Sequence, residues 1–122
     1  MIVYLYGPDS YRRREKLNEY IERYKEKYAS GAGVFDLSDE KDFGGFKDFC
    51  ESRSLFESSK LGVVYNFTEL EKSDLREFIS LIKENLKNKD LTLILNSDKK
   101  PTKDFSFLLE EPVISHNFDV LE

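Results

Sequence analysis

Apolar positions along the chain follow two alternating rhythms. Short, mostly apolar runs at 2–6, 34–37, 61–67, 91–96 and 112–118 read as strands buried on both faces, because alternation with polar residues is largely absent from them. Between them, apolar residues recur every three or four positions. The first such stretch, about 10–28, places Leu17, Tyr20, Ile21, Tyr24 and Tyr28 on one side of a helix. A second, starting near Ser38, turns Phe43, Phe46, Phe49 and Cys50 inward. A third, about 73–86, carries Leu75, Phe78, Ile79, Ile82 and Leu86, and a short fourth helix is expected within 97–111.

The punctuation agrees with these boundaries. Ser10 is a plausible N-cap of the first helix, and "ASGAG" (29–33) is a glycine-rich stop. Ser38, Asp39 and Glu40 start the second helix, as the positive end of its dipole favours. Gly44 and Gly45 weaken that helix by about 1 kcal/mol each relative to Ala. Strands alternating with amphipathic helices specify an α/β fold, a three-layer sandwich with a five-stranded parallel sheet between helices. Right-handed crossovers limit the strand orders without selecting one.

Size allows one domain, residues 1–122, with ten Phe and seven Tyr supplying most of its core. The apolar runs are too short for a membrane span, and the N-terminus lacks the long apolar region of a secretion signal, so a cytoplasmic protein is expected. Cys50 is the only cysteine and His116 the only histidine. An internal disulfide, a thiolate metal cluster, a His-based zinc site and a catalytic triad are therefore excluded. The net charge of −5 argues against a surface that binds nucleic acid all over. Charge is uneven, however: residues 11–28 hold seven Lys and Arg against four Glu, a pattern typical of a solvated helix face laced with ion pairs.

The opening "MIVYLYGPDSYRRREKL" has the strand, glycine turn and helix order of a phosphate-binding P-loop. A working loop wraps phosphates with backbone N–H groups, reaches them with a Lys and holds magnesium with a Ser or Thr. Here Pro8 removes an N–H, and bulky Tyr11 and Arg12 stand where the Lys-Ser/Thr pair is expected. The third strand ends in Asn66 and Phe67 rather than in acidic metal holders. Neither ATP hydrolysis nor a metal or cofactor is expected, and the chain reads as a non-enzyme. Asn96, at the end of the fourth strand, stands where related ATPases place a polar sensor, yet a lone Asn there is ordinarily a turn former. A phospho-acceptor receiver domain is also disfavoured, since Asn66 fills the acceptor Asp position.

The stretch "CESRSLFESSKLGVV" (50–64) places Leu55 and Phe56 side by side among Ser, Glu and Lys. Adjacent bulky apolar residues in such a segment either fold back into the core or serve as a contact, because exposed apolar patches mark interaction sites.

Three segments together resemble the N-terminal domain of the delta subunit of the bacterial DNA polymerase III clamp loader: "YLYGPDSY", "FDLSDEKDF" and "SRSLFESSKLGVVYNF". The resemblance runs from Met1 to about Phe118. It implies an AAA+-like, degenerate P-loop fold without a functional nucleotide site. It also implies a non-catalytic replication protein in which Ser54, Leu55 and Phe56 enter an apolar pocket of the sliding clamp (the beta subunit) and favour ring opening. Glu51 stands where that family usually has glutamine. Other clamp-loader subunits are further implied partners, with DNA reached indirectly and no membrane or small-molecule ligand. Two alternatives stay open at the level of sequence. One is a nucleotide- or nucleic-acid-binding module using the Gly7 turn and Arg12, Arg13 and Arg14 for phosphate or DNA contact. The other is an adaptor docking on loader subunits.

Overall fold

The computed structural model describes residues 1–28, 30–52 and 59–119. The expected alternation is present: β1 (Ile2–Tyr6), α1 (Ser10–Lys27), β2 (Ala32–Asp36), α2 (Glu40–Glu51), β3 (Lys60–Tyr65), α3 (Lys72–Glu84), β4 (Leu91–Ser97) and β5 (Ile114–Asn117). The short fourth helix is a 3-10 helix, Lys103–Leu109, and one 3-10 turn, Phe67–Glu69, follows β3. All strand pairs are parallel, in the order β2-β3-β4-β1-β5.

That order explains which helix covers which face. The β1-to-β2 connection crosses β4 and β3 toward one edge, whereas every later connection travels back the other way. With right-handed crossovers, α1 must lie on the face opposite α2, α3 and the 3-10 helix. Two separate apolar clusters record this. On one side Leu17 and Tyr24 of α1 meet Val3, Leu5, Leu61, Val63 and Ile94. On the other, Phe43, Phe46, Phe78, Ile82, Phe105 and Leu108 cover Ile2, Tyr4, Val64, Leu91, Leu93 and Leu95. Alternate residues of each central strand thus serve opposite faces, which is why the strands read as unbroken apolar runs.

Several boundaries differ from the sequence expectation. Asp9, not Ser10, caps α1: its Oδ1 accepts the Arg12 N–H at 3.1 Å. The glycine-rich stop is shorter than expected, because Ala32 and Gly33 already pair with Leu61 and Gly62. β3 ends two residues early, since Asn66 turns into the left-handed region (φ 58°), a conformation Asn tolerates better than most residues. Among the described residues no helix is long and apolar enough to cross a membrane.

Candidate functional site

Ligands of open parallel sheets bind beyond the carboxyl ends of the strands, and this chain has a cleft of about 330 Å³ there. Its lining comes from Arg13 on α1, Tyr65 and Asn66 after β3, Thr68 and Glu69 on the following turn, and Asn96 to Lys99 at the end of β4.

The turn from β1 into α1 borders this region, and its backbone donors are engaged within the chain. Gly7 N–H donates to Ser97 O at 3.2 Å and Asp9 N–H to Phe118 O at 3.0 Å, while Arg13 N–H reaches Asp9 O at 3.1 Å. Gly7 adopts φ +122°, and a Cβ there would meet the Phe118 carbonyl oxygen at 2.5 Å. Glycine is required because the chain just past β5 packs directly on this turn.

Counting the P-loop spacing from Gly7 places Arg12 at the second glycine, Arg13 at the lysine and Arg14 at the Ser/Thr position. This corrects the expectation that Tyr11 and Arg12 replace the Lys-Ser/Thr pair. Tyr11 stands on the surface, 70% exposed. Arg13 is the residue that enters the cleft, and its Nη1 donates to Asn96 Oδ1 at 2.7 Å. Asn96 is no turn former: it lies within β4, paired in register with Leu5 and Tyr65, and is 7% exposed. A buried amide oxygen needs a donor, and Arg13 supplies it.

The three arginines do not form one patch. Arg12 points to the chain end, where Nη1 donates to Asp119 O at 3.2 Å and the guanidinium lies 5.4 Å from the Phe118 ring centre. Arg13 turns into the cleft and Arg14 faces solvent. Successive helical residues are separated by roughly 100° around the axis, so a consecutive trio cannot share a face.

At the far end of the cleft, Asn66 Nδ2 donates to Asp36 Oδ1 at 2.8 Å, joining the ends of β2 and β3. The same oxygen accepts from the Ser38 hydroxyl at 2.6 Å. Donation from Ser38 and then Asn66 holds the Asp36 carboxyl below its ordinary pKa.

Of the expected clamp contact, Glu51 is exposed at the last position of α2. Ser54, Leu55 and Phe56 lie outside the described residues. The flanks of that segment are tied together by Lys60, the first residue of β3. Its ammonium donates to Phe49 O and, at 2.5 Å, to Ser52 O, and it lies 5.1 Å from the Phe49 ring centre. The last turn of α2 has no basic residue of its own, so Lys60 provides the cation that its carbonyls favour. Cys50 beside it is held as the thiol: burial pushes its pKa up to about 12, outweighing the opposing pull of Lys60. Such a cysteine is a poor nucleophile.

His116 on β5 accepts or shares a proton with Tyr20 Oη, 3.1 Å from Nε2. Burial, followed by the Lys16 charge, lowers its pKa, with Glu19 pulling weakly the other way. The folded state therefore prefers neutral imidazole. Its contribution to stability is complete above the unfolded pKa of about 6.5 and is lost as pH falls through the lower folded value. Urea midpoints are expected to drop as pH falls below about 6.5, with His116→Gln removing part of that slope.

Sequence reasoning missed the Arg13–Asn96 pair because 83 positions separate its members. Only the spacing from Gly7 pointed to Arg13. The cap made by Lys60 left no signal either, since the cation comes from the following strand. No protein-family model matches the chain, and no curated protein matches it.

Proposed function

We propose that this chain is a non-catalytic replication domain that binds a sliding clamp, built on an AAA+-like P-loop fold whose nucleotide site has fallen silent. One observation carries the silent-site half of the proposal. The turn after β1 keeps the position of a phosphate loop but spends the Gly7 and Asp9 N–H groups on its own chain. Pro8 contributes no donor, and β3 ends at Tyr65 and is followed by Asn66, without the acidic pair that orders a nucleotide's magnesium.

The clamp half of the proposal comes from the resemblance carried by Ser54, Leu55 and Phe56. Support from the described residues lies on both sides of them. Lys60 joins the end of α2 to the start of β3, so the two flanks of the segment are held together at one place. Leu55 and Phe56 act as apolar anchors in a pocket of the clamp, favour ring opening and leave DNA contact to the clamp and to other loader subunits. Glu51 substitutes a charge for an amide at the edge of the contact.

Burying each anchor is worth roughly 1.5–3 kcal/mol, so the two together supply about 3–6 kcal/mol, a large share of the roughly 8 kcal/mol of a micromolar contact. Leu55→Ala with Phe56→Ala is expected to weaken clamp binding by about a hundredfold or more while leaving the circular dichroism unchanged. Gel filtration or surface plasmon resonance with a bacterial clamp reads this out. Equal binding by the double variant would overturn the proposal.

A further inference from the structure

Arg13 does more in the cleft than satisfy Asn96. Its Nη1 is committed to Asn96 Oδ1, and Asn96 is itself fixed inside β4. The guanidinium plane is thereby set. The edge left over is the one formed by Nε and Nη2, which matches two oxygens of a phosphoryl group or carboxylate side by side. Nε is buried and has no hydrogen-bond partner among the described residues. A buried donor without an acceptor is destabilising, and an acceptor bound beside Arg13 in the cleft would relieve it.

The surroundings fit an oxyanion. Ser97, 9% exposed, accepts the Lys99 N–H on its Oγ at 3.2 Å, which leaves its hydroxyl proton to point elsewhere. Lys99 places a second cation on the rim, and Thr68 adds a hydroxyl. Glu69 and Asp98 are also on the rim, both exposed, and they disfavour heavily charged ligands. At about 330 Å³ the cleft exceeds the size of a bare phosphate and has room for an organic portion.

We propose that this cleft seats the phosphoryl group of a small molecule on the Nε/Nη2 edge of Arg13, with Lys99 and Ser97 as secondary contacts. This site is independent of clamp binding. It also differs from a nucleotide triphosphate site, because Glu69 and Asp98 oppose a highly charged ligand and the turn after β1 takes no part.

The test is a titration of the isotopically labelled full chain with inorganic phosphate and with phenyl phosphate at constant ionic strength, observing the Arg Nε–H resonances. The Arg13 signal is expected to move saturably, with a dissociation constant in the millimolar range for phosphate and tighter binding of the monoester. Arg13→Lys keeps the charge but loses the paired donors, and is expected to weaken binding by about tenfold as read from Ser97 and Lys99 amide shifts. Arg14→Gln should leave binding unchanged. An Arg13 resonance unmoved by either compound would overturn the proposal. So would equal weakening by the Arg13 and Arg14 variants, which is the signature of general screening. A ligand-free shift of Arg13 Nε in Glu69→Gln or Asp98→Asn would do the same, by showing that a rim carboxylate already fills the edge.

Discussion

Replacing Gly7 by alanine is expected to cost more than about 3 kcal/mol or to prevent folding altogether, as measured by urea denaturation. A new Cβ would lie 2.5 Å from Phe118 O, 2.6 Å from its carbonyl carbon and 2.9 Å from its nitrogen. All three are backbone atoms, so no side-chain rotation relieves the contact. Phe118 has little room to retreat, because its N–H donates to Tyr6 O at 2.7 Å and its carbonyl receives the Asp9 N–H. The backbone at φ +122° adds strain for any residue with a side chain. Gly44→Ala is the matched control. Nothing lies within 4 Å of a Cβ there, and relief of helix-interior glycine entropy is expected to leave stability equal or raised by up to about 1 kcal/mol. A Gly7 variant with an unaltered midpoint would show that the close approach to Phe118 is not maintained in solution.

Phe78→Ala is expected to remove about 3–5 kcal/mol. Phe78 is fully buried on α3, where its ring stacks on Phe67 with centres 5.5 Å apart. It also meets Phe46 of α2 at 5.6 Å and Phe105 of the 3-10 helix at 6.4 Å. One ring thus joins three separate elements of the same face, and its loss opens a void that none of them fills alone. Phe78→Leu keeps most of the volume and is expected to cost less than half as much. Chemical denaturation of both variants at constant slope checks the difference, and equal losses would argue that ring contacts rather than volume dominate.

Element types were legible in the sequence because each helix and strand obeys its own periodicity. Leu75, Phe78, Ile79 and Ile82 mark the inner face of α3 without ambiguity, and the run from Leu91 to Leu95 has the apolar density of a strand covered twice. Boundaries failed where a single side chain decided them. Asp9 beats Ser10 as a cap because its carboxylate reaches the Arg12 N–H, a choice between neighbours that propensity cannot make. Asn66 ends β3 through one left-handed residue within an apolar run. For the site, Gly7 was singled out for its likeness to a phosphate loop, but its conformation answers to the chain beyond β5. Asn96 looked like a turn residue because its partner, Arg13, is distant in sequence. Local pattern carries the fold well, but the chemistry at the strand ends depends on pairings that only the completed sheet creates.

The central place of β1 has a consequence for how the domain is made. Its neighbours in the sheet are Leu93 to Ser97 on one side and Ile114 to Asn117 on the other, about ninety and about one hundred and ten residues downstream of their partners. β1 leaves the ribosome before either of its partners and must wait about ninety residues for the first of its edges to be satisfied. Fragments ending before residue 91 keep a bare, strongly apolar ribbon and are expected to aggregate rather than fold. Genetic dissection of this protein should therefore proceed by point substitution rather than by C-terminal truncation, which strips β1 of its neighbours.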